Sequence, residues 1–518
     1  MEKTTAEKIR EFSERKNRIV AMGGEKMVRK QQEQGKLTAR ERLDLLFDQG
    51  TFQEIQLFVK HRSTLFGLAE KEINADGVIT GFGRINGRVV FVAAQDFTSA
   101  GGSLGEMHAQ KICKAMDMAI EARKPFIALN DSGGARIQEG ITALQGYAGI
   151  FYRNSIASGY IPQISAIMGP TAGGAVYSPA LTDWVFMVKN NSYMYITGPD
   201  VVKAVIAEEV SHEELGGPMA HAAKSGVCHF VTENDEECIG SVKTLLSYLP
   251  DSCHSPQPVA PCTDSADREC PELDTVIPDK ASRAYDMKKI IAAVADNHEM
   301  FEPHEYWAKN MVVAFIRIMG RPVGVIANNP RFGAGVLDVN ASDKAARFIR
   351  FCDAFNIPLL TFTDLPGYMP GTQQEWSGII RHGAKLLHAY SEATVTKITV
   401  VVRKAYGGGY IAMCAKGLGA DYVMAWPSAE IAVMGAEGAC NVIYRREISG
   451  ADDPAAKRAE LAASYEAQFN NPYFAASLGI VDEIIMPRET RKRVAAVLDA
   501  FQDKSETRLP KKHNNIPL

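Results

Sequence analysis

The chain is 518 residues long, 46% hydrophobic and 23% charged, with a formal net charge of −4. This is the composition of an ordinary globular protein with room for several domains. So small a charge lays down no basic footprint for nucleic acid, and no apolar run of about 18 residues marks a membrane span.

The start, Met1-Glu2-Lys3-Thr4, leads into charge rather than the apolar stretch of a signal peptide, so a cytoplasmic protein is expected. Residues 1–47 read as helical and charged. Thr38-Ala39-Arg40-Glu41 is a capping-box pattern ahead of Leu43, Leu45, Leu46 and Phe47. The segment is expected to pack against a body or a partner subunit, with its charges on a solvated face.

Two β-rich runs follow, Gly77–Ile85 and Arg88–Ala93, separated by Asn86-Gly87. Asn-Gly between such runs predicts a hairpin, since both turn residues tolerate positive φ. A helix is predicted over about 105–122 and a buried strand at Pro125–Leu129. A second helix is predicted over about 141–157 and a second strand at Ile161–Met168. Strand–helix–strand alternation points to an α/β fold with parallel strands. Residues 251–280 break the pattern with Pro256, Pro258, Pro261, Pro271 and Pro278 and few aliphatics, and mark a linker. Cys253, Cys262 and Cys270, with His254, lie in or beside it. Their spacing is not that of a zinc site, which favours a linker that happens to carry thiols over a metal clip. The nine cysteines form no Cys-x-x-Cys pair, so neither a disulfide scaffold nor a metal is expected. The order of elements then repeats: a hairpin around Met319-Gly320, a helix over 341–355, and strands at Pro358–Phe362 and Lys397–Val402. The tail from Glu483 reads largely as a charged helix.

The repetition holds at one fixed shift. Gly87-Arg88 matches Gly320-Arg321 (320 − 87 = 233), and the same 233 relates Lys111 to Lys344, Pro125 to Pro358, Asp131 to Asp364 and Gly134 to Gly367. A unit of this size is a duplicated domain, not a solenoid repeat. The expected organisation is an N-terminal domain (1–250), the linker (251–280) and a C-terminal domain (281–518).

Each repeat carries two Gly-rich loops after strands. They are Asp131–Arg136 and Gly169–Ala175 in the first, and Asp364–Tyr368 and Lys404–Tyr410 in the second. Backbone N–H groups at helix starts lack partners, and glycine removes the Cβ that would block a ligand. A single such loop is adequately explained by tight turns and helix packing. Four loops in two matched pairs favour oxyanion holes, which hold charge developing on a carbonyl oxygen. No nucleophile or base accompanies them. Ser132 is not in a Gly-x-Ser-x-Gly elbow, and His108, His382 and His388 sit in helical contexts. Walker A and dinucleotide fingerprints are absent. The substrate or a cofactor would then supply the base.

These loops resemble the crotonase-type carboxyltransferase family. The whole chain resembles the carboxyltransferase (β) subunits of biotin-dependent acyl-CoA carboxylases, the type found in propionyl-CoA carboxylase, transcarboxylase and methylmalonyl-CoA decarboxylase. The match is carried by Gln95–Thr98, Gly101–Glu106, Asp131–Gly140, Gly173–Asp183 and Ile196–Pro199. In the second half it is carried by Asn340–Lys344, Ile379–Lys385, Tyr390–Thr394 and Ala425–Glu437. The resemblance implies two tandem ClpP/crotonase-like α/β domains with an N-terminal helical segment. It implies that the N-terminal domain takes an acyl-CoA, propionyl-CoA or methylmalonyl-CoA first, and the C-terminal domain carboxybiotin. Gly173 and Gly174, opposite Gly134 and Ala135, would hold a thioester enolate. Gly408 and Gly409, opposite Gly367 and Tyr368, would hold the biotin ureido oxyanion, with biotin itself the proton acceptor. It further implies a ring-shaped homohexamer with each site between domains of different subunits. Since no Ala-Met-Lys-Met motif occurs, biotin would arrive on a biotin carboxylase/carrier subunit or another biotinylated protein. A decarboxylase complex would run the same chemistry backwards. A biotin-independent hydratase or hydrolase would need a carboxylate pair or nucleophile at a hole.

Several positions depart from the family's usual residues. Ile411 stands where many propionyl-CoA carboxylases have Asp, a position tied to acyl-chain choice. Gly409 replaces the usual Ala or Ser, Thr171 replaces Cys, and Leu365 begins a run that usually starts with Val.

Overall fold

The computed structural model describes residues 3–280 and 283–518. Met1-Glu2 and the first two positions of the expected 281–518 domain lie outside the described residues. The chain forms two compact units, the first ending at Pro256 and the second starting at Gln257. The Pro-rich segment is thus divided between them rather than free. Asp251 accepts from Arg88 at 2.7 Å in the first unit. Cys270 and Leu273 are buried in the core of the second, and Arg268 donates to the carbonyls of Ala293 and Ala295, each at 2.9 Å. The prolines end regular structure there, as their missing N–H requires, while these buried side chains and hydrogen bonds tie the segment down.

Among the described residues the first unit holds eight strands: β1 (Gln53–Ile55), β2 (Val78–Ile85), β3 (Arg88–Gln95), β4 (Phe126–Ser132), β5 (Gln163–Ala172), β6 (Trp184–Val188), β7 (Tyr193–Tyr195) and β8 (Phe230–Thr232). The order is β1-β2-β3-β4-β5-β6-β8, with β7 paired to β5. β2 and β3 are antiparallel and turn at Asn86-Gly87, with φ of 50° and 80°, the two-residue turn that the sequence predicts. From β3 onward the sheet is parallel. The helices Glu106–Ala122 and Ile141–Ala157 make the crossovers and bury Ile112, Met116, Tyr147 and Ile150 against it.

The second unit repeats this plan with β9 (Met311–Ile318), β10 (Arg321–Asn328), β11 (Leu359–Leu365), β12 (Lys397–Tyr406), β13 (Tyr422–Ala425), β14 (Glu430–Ala432) and β15 (Glu483–Ile484). Their order is β15-β13-β12-β11-β10-β9, with β14 on β12. The strand starts obey the shift: 311 − 78, 321 − 88 and 359 − 126 all equal 233. So do the long helices Glu106–Ala122 and Val339–Ala354 (339 − 106). The two units are tandem crotonase-like α/β domains. Lys111 and Lys344 also play one part twice. Both are buried, and each reaches carbonyls of the segment leading into its sheet: Ala75 at 2.8 Å for Lys111, His304 and Trp307 at 2.9 and 2.8 Å for Lys344. Burial pulls their pKa values down, to about 8 and about 7.

Two expectations need correcting. The N-terminal segment is helical (Thr5–Val20, Glu25–Gln32, Ala39–Leu46) and Thr38 closes its capping box with Glu41. Its charges are not all solvated, however: Arg42 is 0% and Lys36 5% exposed. The tail is helical only over Thr490–Ala500. Beyond it Arg508 donates to the Glu392 and Ala393 carbonyls at 3.1 and 2.8 Å, serving the unpaired end of the Ile379–Glu392 helix. Among the described residues no helix is long and apolar enough to cross a membrane.

Candidate active site

The candidate site residues lie where strands change neighbours. β5 pairs with β6 through Ile164–Ile167 and with β7 through Pro170–Ala172. β12 likewise pairs with β13 through Ile398–Val401, then with β14 through Lys404–Tyr406. The register of the preceding strand slips at the same place in both repeats, between Asn130 and Ser132 in β4 and between Thr363 and Leu365 in β11. Such irregularities bend a strand and re-aim its end. Each expected loop therefore begins as strand: Asp131–Ser132, Gly169–Ala172, Asp364–Leu365 and Lys404–Tyr406 are extended, and the remaining residues of each turn away.

In the first unit Leu104 bridges to the turn after β4. Its N–H donates to Gly134 O and its carbonyl accepts from Arg136 N, both at 2.9 Å. Gly133 N–H goes to Gly101 O at 2.9 Å, and Gly134 N–H to Ser132 Oγ at 3.1 Å. Among the described residues this leaves the Ala135 N–H without an acceptor. Opposite it, the turn Gly173–Val176 starts directly at the end of β5, and its first N–H groups have no preceding turn to accept them. The two ends are close: a Cβ on Gly134, whose φ is +95°, would stand 3.1 Å from Ala172 O.

The second unit repeats the arrangement. Leu337 N–H donates to Gly367 O at 3.1 Å and Met369 N–H to Leu337 O at 2.8 Å, which leaves the Tyr368 N–H unpaired among the described residues. Facing it is the start of the Gly407–Ala412 helix, with Gly408 and Gly409 in its first turn. A Cβ on Gly409 would lie 3.0 Å from Gly367 Cα and 2.7 Å from Leu365 Cδ1. The eight predicted residues thus fall into two clusters of four, one in each unit. Ile411 follows Gly409 by two positions and is 48% exposed.

The Gly409–Leu365 approach explains two of the departures together. The larger Leu365 occupies space that a methyl group at 409 would need. Gly409→Ala alone is expected to cost about 1–3 kcal/mol by overpacking, and Leu365→Val beside it to recover most of that. A denaturant-unfolding cycle with no coupling between the two changes would refute the pairing.

Ser132, His108 and His382, named at the sequence level, are each engaged by other groups of the protein. Ser132 Oγ donates to Gly102 O at 2.6 Å. His108 is fully buried with Nδ1 2.8 Å from Asp76 O, and burial holds its pKa well below the usual value. His382 lies 2.8 Å from Asp343 on the neighbouring Val339–Ala354 helix. The Tyr368 ring packs on Gly383, and burial pushes its hydroxyl up to about 12, so it stays neutral at pH 7. Among the described residues no three His, Cys, Asp or Glu side chains gather as a metal group.

Sequence reasoning missed the charges beneath each turn. Asp131 and Asp364, matched at 233, are fully buried at the ends of β4 and β11. The backbone N–H of each donates to a matched amide oxygen, Gln95 Oε1 and Asn328 Oδ1, both at 3.3 Å. Asp131 is paired with Lys36 and Arg42, Asp364 with Arg403 and the Tyr285 hydroxyl. The available signal was cations beside apolar helix positions, Arg42 next to Leu43. Also unforeseen was Trp376, 85% exposed at the end of the Thr372–Trp376 helix. Gln374 of that helix accepts from Val339 N–H at 3.1 Å, two residues past Leu337.

Comparison with known proteins shows the family. A family model described as the carboxyl transferase domain matches residues 30–516. The chain is 54% identical to the methylmalonyl-CoA decarboxylase subunit alpha of Veillonella parvula, covering 99% of this chain and all of that one. It is 54% identical to the mitochondrial propionyl-CoA carboxylase beta chain of Homo sapiens, covering 99% and 94%. Among solved structures, the transcarboxylase 12S hexamer core with methylmalonyl-coenzyme A and methylmalonic acid bound superposes with a TM-score of 0.98 at 50% identity, covering 100% of this chain and 99% of that one.

Proposed function

The chain belongs to the carboxyl transferase domain family and is an acyl-CoA carboxyltransferase, and from that premise we propose its particular reaction. It moves a carboxyl group between carboxybiotin, brought by a separate biotinylated carrier, and the α-carbon of propionyl-CoA, giving methylmalonyl-CoA, or the reverse. The observation that carries this is the pair of matched sites, each with one unpaired turn amide facing the amides of a helix start. The relatives' names and the methylmalonyl-coenzyme A in the transcarboxylase structure support the choice of acyl group.

The first unit takes the thioester. Ala135 N–H and the Gly173–Gly174 amides hold its carbonyl oxygen, and their hold strengthens as the α-proton leaves and charge moves onto that oxygen. The enolate carbon then forms the new bond to CO₂, and the thioester carbonyl is restored. The second unit suits a ureido oxygen: Tyr368 N–H faces the Gly408–Gly409 amides, and a Cβ at 408 would meet no protein atom within 4 Å. When bound as carboxybiotin, biotin supplies the carboxyl group and a nitrogen that takes the proton, the base that this chain does not offer. We place the enzyme in the cytoplasm as a homohexamer served by a biotin carboxylase/carrier subunit or another biotinylated protein. The decarboxylase relatives keep the reverse direction open as a second reading. A biotin-independent hydratase or hydrolase, which would need a carboxylate pair or nucleophile at a hole, is disfavoured because the Ser132 hydroxyl before the first turn is taken up by the Gly102 carbonyl.

Purified protein is expected to exchange carboxyl groups between methylmalonyl-CoA and free biotin. Folded protein that exchanges with no short acyl-CoA would overturn the proposal. In the same assay Ile411→Asp should alter the ranking of propionyl-, acetyl- and butyryl-CoA by about 10-fold or more in kcat/KM, the scale of one methylene in an apolar pocket. An unchanged ranking would remove Ile411 from acyl selection.

A further inference from the structure

The two units differ in where the buried aspartate finds its cation. β4 and β11 give the alignment: Asn130 stands opposite Ile167, and Thr363 opposite Val401 (401 − 167 = 234). Arg403, whose Nε lies 3.0 Å from Asp364 Oδ2, therefore corresponds to Gly169 (403 − 234 = 169). The strand of the first unit has given up its cation. A Cβ on Gly169 would stand 1.8 Å from Asp131 Oδ1 and 2.9 Å from Lys36 Nζ. The vacated room is filled by side chains from a distant part of the chain. Lys36 Nζ lies 2.7 Å from Asp131 Oδ1 and Arg42 Nη1 2.9 Å from Oδ2. Arg42 Nη2 also donates to Met168 O at 3.0 Å, and its Nε to Asp235 Oδ2 at 2.7 Å. Leu37 N–H reaches the same Asp235 oxygen at 3.1 Å. Lys36 rests over the Phe97 ring, 4.8 Å from its centre. The four charged side chains are each 5% exposed or less.

Arg42 thus joins a carboxylate of β4 to a carbonyl of β5. Those are the strands whose ends present Ala135 on one side and Gly173–Gly174 on the other, so the guanidinium sets the spacing of the two donors. Arg403 does this for β11 and β12 from within β12.

Resting on the division of labour proposed above, we propose that the segment Lys36–Leu46 is the positioning element of the acyl-CoA site, with Lys36 and Arg42 acting on the Ala135 amide through Asp131. The segment is part of the acyl half-site and not a peripheral arm.

The test uses the full-length assembled protein and two reactions. One is carboxyl exchange between methylmalonyl-CoA and biotin, which needs both sites. The other is decarboxylation of free N-carboxybiotin to biotin and CO₂ without thioester, which needs the second site alone. Arg42→Lys and Lys36→Met are each expected to lower kcat for exchange at saturating thioester by about 10²-fold, the scale of an ångström-size misplacement. The KM for biotin and the decarboxylation rate should stay at wild-type values. Arg403→Lys should instead slow decarboxylation. If Arg42→Lys fails to assemble, Lys36→Met, at the edge of the network, gives the same readout. Equal loss in both reactions, or loss in neither, overturns the positioning role while leaving the proposed function standing. Wild-type protein without exchange overturns the function itself, and this inference with it.

Discussion

Ala135→Pro is expected to lower kcat for carboxyl exchange by about 10²–10³-fold, equivalent to roughly 2.7–4 kcal/mol of transition-state stabilisation. Proline removes the amide hydrogen and puts a ring methylene in its place. Ala135 gives up no internal hydrogen bond in the exchange, because Leu104 takes its bonds from Gly134 and Arg136 on either side. The residue before a proline is driven toward extended conformations, and here that residue is Gly134, the residue type best able to adjust. The thioester binds before charge develops, so KM for acyl-CoA should move little. Ala135→Gly keeps the N–H and is the control. Exchange by folded Ala135→Pro protein at the wild-type kcat would falsify the assignment of this amide as a donor.

Asp364→Ala is expected to cost about 3–5 kcal/mol of stability in the second unit, because it strands a buried cation. Arg403 is 6% exposed. Without Asp364 its remaining company is the Arg283 carbonyl at 3.1 Å and the face of Tyr285, 5.1 Å away. The Tyr285 hydroxyl loses its 2.7 Å acceptor in the same step. Burial raises the Asp364 pKa while Arg403 and Tyr285 oppose the rise, so the carboxylate depends on these partners as they depend on it. Removing both charges, as Asp364→Leu with Arg403→Met, should be far milder than removing one. Denaturant midpoints for the single and double changes check this. A double variant as unstable as Asp364→Ala would show that the ion pair is not the source of the loss.

The parts of the fold that follow from local chemistry were legible before the structure. Asn86-Gly87 announces its own hairpin, because both residues accept positive φ. Met319-Gly320 does not, since Met319 at φ 56° is an unlikely turn residue by composition; it was found because the shift of 233 carried the first hairpin onto it. The Gly pairs 173–174 and 408–409 stand out in the sequence as candidate sites. Which amide on the opposite turn is free was not, because that depends on Leu104 and Leu337 pairing across from elsewhere in the chain. The buried ion pairs were hidden by distance: Arg42 and Asp131 are 89 positions apart. Helical spacing alone cannot separate a solvated arginine from one that enters the core beside Leu43. The Gly409–Leu365 fit was visible as two departures from family habit, but only their approach in space makes them one.

Trp376 gives the second site an optical handle. Of the four tryptophans, Trp184 and Trp426 are buried at 3% and 0%, Trp307 is half-buried, and Trp376 is open to solvent. Its helix is fastened beside the Leu337–Tyr368 bridge. Emission from this indole is therefore the part of the protein's intrinsic fluorescence that a water-borne quencher reaches first. Arrival of a biotinyl group or its carrier near Tyr368 can be followed as shielding of that emission, without attaching a dye.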